Sequence, residues 1–166
     1  MEAADVLRVL DALDAVGIRV GITGGWGVDA LLRRQTRAHG DVDLGVSSDA
    51  VEEAIDTLRP LGYDVAVDDR PARVVLASAR DHVDLHPIVW DGSGHGLQTG
   101  LGGEMFDYPA GCLDAEGEIG GRIVRCGTPE LQVAFHSHYE PREHEHRDMA
   151  ELAAACELAL PPAYTR

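Results

Sequence analysis

The sequence contains no lysine, and all fourteen of its basic residues are arginine. This absence excludes the lysine of a phosphate-binding P-loop and every mechanism that proceeds through an adenylyl-lysine or a Schiff base. If the chain handles nucleotides, it must do so with carboxylate-bound metal, arginine side chains and backbone amides.

Cysteines, aromatic residues and long apolar runs are also scarce. The three cysteines show no CxxC spacing, which predicts reduced thiols in a cytoplasmic protein. Aromatic residues make up 5% of the chain, so the core must consist mainly of aliphatic side chains. No apolar run approaches the roughly 20 residues of a membrane span, and the acidic, amphipathic N-terminus is unlike a signal peptide. We therefore predict no association with a membrane.

The formal net charge is −15, and basic residues cluster only at Arg33, Arg34 and Arg37. A nucleic-acid partner would require a basic face that neutralises phosphates, so we predict none. The acidic balance favours a small cationic substrate or a bound divalent metal, although solubility alone explains it equally well. The 166 residues predict a single domain, with residues 128–160 as its C-terminal helical part, acting as a monomer or homodimer.

Hydrophobic spacing and turn residues predict an α/β (α+β) chain with a mixed sheet and a helical C-terminal end. Asp49 is expected to cap a helix with Glu52 as its capping-box partner, and Thr128 to cap another. The predicted helices cover residues 3–16, 26–33, 49–61, 128–138 and 143–160. The predicted strands cover residues 19–23, 41–46, 63–67, 73–77 and 82–88, with a glycine-rich loop at 91–103 and a hairpin arm at 119–125.

Asp41 and Asp43 stand in a segment that alternates strictly between polar and apolar residues. On a strand, alternate residues share a face, so both carboxylates point away from the core side that Val42 and Leu44 occupy. Two carboxylates roughly 7 Å apart along a strand repel each other unless a cation lies between them. A hard divalent ion with oxygen ligands is the usual solution, so the pattern predicts a metal site.

Residues 82–86 repeat this alternation and place His82, Asp84 and His86 on one face. If the two strands are neighbours, Asp84 becomes the third carboxylate of one cluster. Three carboxylates can bind two Mg²⁺ or Mn²⁺ ions, which neutralise a triphosphate and activate the attacking oxygen in phosphoryl transfer. Each segment alone is typical of an amphipathic edge strand, but the two together with the glycine pair upstream favour the metal site.

Gly24 and Gly25 lie between a predicted strand and a predicted helix. Glycine lets a phosphate approach the backbone there, and the helix N-terminus offers free amides. Arg37 could stabilise triphosphate charge because its planar guanidinium matches phosphate oxygens. His39 could do the same or hold the loop before the acidic strand. A simple turn and a solvated loop are the alternative interpretations of these positions.

The segment GGWGVDALLRRQTRAHGDVDL, residues 24–44, resembles the signature of antibiotic nucleotidyltransferases in the DNA polymerase β-like superfamily. Small lincosamide nucleotidyltransferases are the most similar group, followed by aminoglycoside nucleotidyltransferases with the same GGW opening. The resemblance continues in VDLHPI, residues 83–88, and in LQVAFHSHYEPREHEHRDMAEL, residues 131–152. The wider superfamily usually has Gly-Ser where this chain has Gly-Gly, and residues 108–125 match nothing in the family.

The resemblance implies the nucleotidyltransferase fold, a mixed twisted sheet flanked by helices. It implies transfer of AMP from ATP, or of another nucleotide from its triphosphate, to a hydroxyl of a small molecule such as a lincosamide or an aminoglycoside. It implies Mg²⁺ at Asp41 and Asp43, with Asp84 completing the metal site or accepting the proton of the acceptor hydroxyl. It also implies that Gly24 and Gly25 hold the triphosphate.

Four further residues are candidates for the pocket. The resemblance favours His136 and Tyr139 near the nucleotide or acceptor, although a partly buried structural pair fits the same helix. His86 shares the face of Asp84. Trp26 could stack on a base or a drug ring, with core packing as the alternative.

Three other functions are considered. The same chemistry could act on a protein, as in toxin–antitoxin nucleotidyltransferases, which usually carry the Gly-Ser form. A non-catalytic nucleotide- or metal-binding module would be expected to lack one of the carboxylates, and all three are present. A zinc hydrolase could use His82, Asp84 and His86, since the other histidine pairs lie two apart on predicted helices and do not face each other.

Overall fold

The computed structural model describes residues 1–136 and 141–164. Helices occupy both ends of this part of the chain and alternate with strands at its start. The helices are α1 (Ala3–Ala15), α2 (Gly24–Leu32), α3 (Val51–Leu58), α4 (Pro129–Phe135) and α5 (Glu143–Cys156). The strands are β1 (Val20–Thr23), β2 (Asp41–Ser47), β3 (Asp64–Asp69), β4 (Arg73–Ala77), β5 (His82–Trp90), β6 (Gly96–Thr99), β7 (Met105–Tyr108), β8 (Ala115–Ile119) and β9 (Arg122–Cys126).

The strands form a mixed sheet in the order β3-β4-β5-β2-β1-β9-β8. The β2–β5 and β1–β9 pairs are parallel, and the other pairs along this path are antiparallel. The β6–β7 hairpin extends from the end of β5, where β6 pairs with it. The predicted fold class, a mixed sheet flanked by helices with a helical C-terminal end, is therefore confirmed.

Alternation along β2 and β5 separates an aliphatic face from a polar face, as predicted. Val42, Leu44, Val83 and Leu85 are at most 1% exposed and join the main core. Helices α1 and α3 contribute their apolar sides to the same core. The opposite face of the two strands is left for the acidic residues, which is what positions the site.

Helix starts differ from the prediction in two places. α2 begins at Gly24 rather than at Trp26, so the glycine pair forms the first turn of the helix instead of a preceding turn. Asp49 does not cap α3, because a 3₁₀ turn at Ser48–Ala50 moves the N-cap to Ala50, which makes no side-chain capping bond. The predicted cap of α4 is confirmed, since Thr128 accepts a hydrogen bond from the Leu131 amide.

Two regions that lack strong hydrophobic alternation form strands through pairing. β6 lies inside the predicted glycine-rich loop, because the end of β5 supplies backbone partners for a segment with little apolar character. Residues 119–125 contain the turn between β8 and β9, and Gly120 and Gly121 both have positive φ there. A two-residue hairpin turn of this kind requires such backbone angles.

Two helices also end earlier in the chain than predicted. α4 ends at Phe135, and α5 ends at Cys156, where Glu157 adopts a left-handed conformation with φ of 55°. In the part of the chain that the structure describes, none of the helices combines the length and apolar character that crossing a membrane requires.

Candidate active site

The two acidic strands are parallel neighbours in the middle of the sheet. Their register places Asp43 beside Asp84 and Asp41 beside His82. The condition for a three-carboxylate cluster, that the two strands adjoin, is therefore met. The three carboxylates and His86 lie on the face opposite the aliphatic core.

A cleft of about 370 Å³ opens over this face, and we call it the carboxylate cleft. Its floor is the polar side of β2 and β5, one end is the start of α2, and its walls come from β6, β7 and α4. The residues predicted for the site that line it are Asp41, Asp43, Asp84, Gly24, Gly25, His86 and His136.

Asp84 is the most buried of the three carboxylates, at 8% exposure. Burial and the neighbouring charge of Asp43 raise its pKa to about 6, with Asp41 adding in the same direction. Arg73 opposes this shift, since its Nη1 lies 3.4 Å from Asp84 Oδ2. The cleft thus contains a carboxyl group that protonates close to neutral pH.

Asp43 behaves in the opposite way. Burial disfavours its charged form, but the hydrogen bond from His86 and the positive potential of neighbouring groups such as Arg73 outweigh burial and hold the pKa of Asp43 below its usual range. Its Oδ1 lies 3.0 Å from His86 Nε2. The two adjacent carboxyl groups are therefore driven apart in pKa by their surroundings, a pattern typical of acid–base sites.

A chain of hydrogen bonds runs from Asp43 into the wall of the cleft. His86 Nδ1 lies 3.1 Å from Gln98 Nε2, and Gln98 Nε2 donates to the carbonyl oxygen of Ala72 at 3.1 Å. The Tyr108 hydroxyl donates to Gln98 Oε1 at 2.7 Å. Burial raises the pKa of Tyr108 far above its usual range, so the phenol remains a donor.

Glycine is required at both positions at the start of α2, because neighbouring side chains occupy the space that a Cβ would need. Gly24 has a φ of +60°, and a Cβ there would lie 2.0 Å from Asp43 Oδ2. A Cβ on Gly25 would lie 2.6 Å from both Arg37 Nη2 and His39 Nδ1. No side chain fits at either position while those groups keep their places.

Arg37, His39 and Trp26 lie behind Gly25 and do not line the carboxylate cleft. The His39 ring is buried, with its Nε2 2.5 Å from Asp29 Oδ2 and its plane against Trp26 at a centroid distance of 4.8 Å. Arg37 Nε donates to Asp148 at 3.0 Å. Of the two roles predicted for His39, the geometry fits holding the loop, and Trp26 packs in the core.

His136 lines the cleft at the end of α4, and its Nδ1 donates to the carbonyl oxygen of Gln132 at 2.7 Å. Tyr139 lies outside the described residues. Gln132 itself is fully buried and lines the cleft, and its side-chain amide has no hydrogen-bond partner within residues 1–136 and 141–164. A buried amide without partners is costly, so Gln132 stands out among the cleft residues.

Comparison with known proteins identifies the family. The sequence profile of the aminoglycoside-2''-adenylyltransferase family matches residues 5–152. The chain belongs to this family. A 2''-aminoglycoside nucleotidyltransferase of Klebsiella pneumoniae is 31% identical over 135 residues, which is 80% of this chain and 71% of that protein. The protein is therefore a nucleotidyltransferase.

Two further relatives of this adenylyltransferase family match almost their whole length. A lincosamide resistance protein of Staphylococcus haemolyticus is 28% identical over 149 residues, which is 89% of this chain and 92% of that protein. The crystal structure of a lincosamide antibiotic adenylyltransferase with lincomycin bound superimposes with a TM-score of 0.80 at 27% identity, covering 92% of this chain and 96% of that one. The predicted family and the nucleotidyltransferase fold are both confirmed.

Nucleotidyltransferases use a divalent cation with their nucleotide, and the carboxylate cleft of this family member fits one. Asp41, Asp43 and Asp84 offer the oxygen donors that Mg²⁺ prefers, and burial together with the neighbouring carboxylate charges raises the pKa of Asp84. Within the described ranges, no three His, Cys, Asp or Glu side chains already surround one point. Zinc is a poorer fit, because both ring nitrogens of His86 are engaged in hydrogen bonds.

Sequence reasoning missed most of the cleft wall. These residues lie in the predicted loop at 91–103, in the unmatched segment at 108–125 and on strands or helices with no motif. The missed residues are Thr23, Arg73, Gln98, Phe106, Tyr108, Gln132, Phe135, Arg142 and Glu145. Four of them stand in a segment that resembles the family, and that resemblance could have drawn attention to them: Gln132, Phe135, Arg142 and Glu145.

Proposed function

We propose that the protein transfers AMP from ATP, bound with Mg²⁺ or Mn²⁺, to a hydroxyl of a lincosamide or aminoglycoside antibiotic. The observation that carries the proposal is the meeting of Asp41, Asp43 and Asp84 on one face of two parallel strands at the floor of a cleft. The relatives described as a lincosamide resistance protein and as 2''-aminoglycoside nucleotidyltransferases support the choice of acceptor.

In this proposal Asp41 and Asp43 hold the divalent cation that accompanies the triphosphate. The bound cation neutralises phosphate charge during transfer. Gly24 and Gly25, in the first turn of α2, hold the triphosphate through backbone amides. Arg37 packs against the Cα of Gly25 and adds positive charge from behind that turn.

Asp84 is the proposed general base. It accepts the proton of the acceptor hydroxyl as the oxygen bonds to the α-phosphorus and the bond from phosphorus to pyrophosphate breaks. Its pKa of about 6 suits this task, because the group is ionised at neutral pH and still holds a proton well. An additional role of Asp84 in binding the metal is compatible with its position beside Asp43.

The wall of the cleft favours an acceptor that is both apolar and cationic. Phe106 and Phe135 meet edge to face at a centroid distance of 5.7 Å and line the cleft together. Glu145 also lines the cleft, and Asp41 is exposed at its floor. A lincosamide, which combines an alkyl-substituted ring, one amine and a sugar with hydroxyls, suits this wall better than a polycationic aminoglycoside.

Mass spectrometry of acceptor panels tests the proposal. Lincosamides and aminoglycosides are incubated separately with the protein, Mg²⁺ and each of the four nucleoside triphosphates. We expect one adenylyl group on a lincosamide with ATP, no product with chelator, and far less product with Asp84→Asn in the same time. A nucleotidyl group found on protein instead of on any drug would favour a protein acceptor and contradict the proposal, as would the absence of any product.

A second experiment separates the two roles of Asp84. If Asp84 is chiefly the base, Asp84→Asn loses about 10²–10⁴-fold in single-turnover rate but binds Mg²⁺-ATP almost normally. If it is chiefly a metal ligand, the dissociation constant for Mg²⁺-ATP rises as well. We expect the first result. Normal turnover of Asp84→Asn would remove the residue from the mechanism.

A further inference from the structure

We propose that Gln98 and Tyr108 are positioning residues that keep the ring proton of His86 on Nε2. His86 then donates to Asp43 Oδ1 and leaves Asp43 Oδ2 beside Gly24, which lines the carboxylate cleft with Asp43. The catalytic consequence rests on the proposed function, whereas the position of the proton can be measured without any substrate.

The orientation of the Gln98 amide is set by a backbone group. Gln98 Nε2 lies 3.1 Å from the carbonyl oxygen of Ala72, which can only accept, so the NH₂ end of the amide must face it. The carbonyl end then receives the hydroxyl of Tyr108 at 2.7 Å. Both neighbours agree on a single orientation of the amide.

This orientation determines the tautomer of His86. The second hydrogen of the Gln98 NH₂ group points to His86 Nδ1 at 3.1 Å, so Nδ1 must carry a lone pair. The ring proton therefore resides on Nε2, which faces the carboxylate of Asp43 at 3.0 Å. A proton on Nδ1 would bring two N–H groups face to face and leave Asp43 without a donor.

Each oxygen of Asp43 has a defined position in this arrangement. Oδ1 receives the His86 proton, while Oδ2 lies against Gly24, where a Cβ would come within 2.0 Å of it. Both residues line the cleft. The free oxygen of Asp43 is thus presented at the N-terminal turn of α2, between the sheet and the proposed triphosphate position.

The two positioning residues are themselves immobilised. Gln98 is 7% exposed and Tyr108 is 1% exposed. The Tyr108 ring packs against Phe135 at a centroid distance of 5.0 Å and edge to face with Trp90 at 6.1 Å. Outer groups that orient the ligands of a metal typically contribute about 10- to 100-fold to metal affinity or activity, which sets the size of the expected effect.

The variant Gln98→Leu removes the hydrogen bond to His86, and Tyr108→Phe removes the hydrogen bond to Gln98. Both variants nearly preserve the shape of the side chain. Tyr63→Phe is a matched control, because it deletes a different buried tyrosine hydroxyl, which donates to Asp81 outside the cleft. Nitrogen-15 spectra of the histidine rings report the tautomer of His86 in each protein, and assignment uses the spectrum of His86→Gln. Melting curves establish that each variant folds.

We expect a protonated Nε2 and an unprotonated Nδ1 for His86 in the unsubstituted protein and in Tyr63→Phe. Gln98→Leu should give a mixture of tautomers, a Michaelis constant for Mg²⁺ raised about 10- to 100-fold and a lower turnover. Tyr108→Phe should change the tautomer ratio, the Michaelis constant for Mg²⁺ and the turnover in the same directions, but by smaller amounts. These changes differ from those of a merely structural residue, which would lower the melting temperature without moving the ring proton.

A proton on Nδ1 in the unsubstituted protein would overturn the inference, as would an unchanged tautomer and an unchanged Mg²⁺ requirement in Gln98→Leu. If the ring proton moves as expected but no antibiotic is ever modified, the proposed function fails and the positioning role stands. If transfer occurs and the tautomer of His86 is unchanged in Gln98→Leu, only the positioning role fails.

Discussion

Two of the histidine–aspartate pairs in the described part of the chain are alike in composition but differ in setting. His39 Nε2 lies 2.5 Å from Asp29, and both side chains are 2% exposed. His86 Nε2 lies 3.0 Å from Asp43, and the side chains are 22% and 28% exposed. One pair is enclosed by the protein, and the other faces the carboxylate cleft.

The difference lies in how the carboxylate oxygens are used. Asp29 Oδ2 lies against His39, and its Oδ1 accepts from both the backbone amide and the hydroxyl of Thr36, so both oxygens of this α2 residue bind the segment that follows the helix. Asp43 gives one oxygen to His86 and keeps the other at the cleft beside Gly24. A carboxylate with an oxygen that makes no hydrogen bond can contact a ligand, whereas a carboxylate whose two oxygens are both bonded stabilises the fold.

The sharpest way to test this comparison is to remove charge from the cleft pair. Asp43→Asn keeps the shape of the side chain and should lower turnover at least about a hundredfold, about 3 kcal/mol of transition-state stabilisation. The melting temperature should change little, because the site is held by the sheet. The measurements are steady-state kinetics and calorimetric melting, and a folded variant with near-normal turnover would refute the role of Asp43.

Breaking the enclosed pair should lower stability, whereas breaking the cleft pair should mainly lower turnover. His39→Leu leaves Asp29 buried without its partner, and loss of one member of a buried pair costs about 3 kcal/mol or more of unfolding free energy. His86→Leu should cost about 1 kcal/mol, because the partner of His86 is open to the cleft. Urea denaturation measures both. Equal losses for the two variants would show that exposure does not separate the pairs.

The raised pKa of Asp84 predicts a pH-dependent stability. Between an ordinary pKa of 3.8 and about 6, the folded state keeps a proton that the unfolded state has lost, so stability falls as pH rises through this window. Asp84→Asn should therefore be more stable than the unsubstituted protein at pH 8 without metal. The gain should be about 1–2 kcal/mol, since solvent in the cleft screens the charge.

Denaturation of both proteins at pH 3.5 and pH 8 checks this expectation. The stabilisation by Asp84→Asn should disappear at the lower pH, where the carboxyl group is protonated in both states. A stabilisation that is the same at both values would contradict burial and carboxylate repulsion as its cause.

The smallest expected effect concerns Gln132, which lines the cleft and whose buried amide has no partner in the described part of the chain. If the amide serves a ligand, Gln132→Leu should leave stability unchanged or higher, because no internal hydrogen bond is lost. The Michaelis constant for ATP or for the acceptor should rise about fivefold, the value of one hydrogen bond. A loss of stability with unchanged Michaelis constants would assign Gln132 to the fold instead.

Much of the floor of the cleft could be predicted from the sequence. Period-2 alternation identified the two acidic strands and the shared face of Asp41 and Asp43, because side-chain direction on a strand follows from position alone. The match of residues 24–44 to the family block could not separate His39 from a phosphate ligand. Both roles require the same residue at the same place, and only packing distinguishes them.

The walls of the cleft could not be predicted in this way. Gln98 lies on β6, a strand that exists because the end of β5 pairs with it, and its segment has little hydrophobic pattern. Tyr108 has no local feature that distinguishes it from a core tyrosine. Its contact with Gln98 joins two strands of a hairpin and depends on their register.

The sequence by itself determined the family, the order of most strands and helices, and the side of each strand on which the carboxylates stand. These properties follow from local periodicity and from a contiguous block of residues. Only the tertiary structure decided that β2 and β5 adjoin in a register that sets Asp43 beside Asp84. It also decided that Gly24 makes room for Asp43 and that His39 is enclosed, because strand pairing and burial depend on residues far apart in the chain.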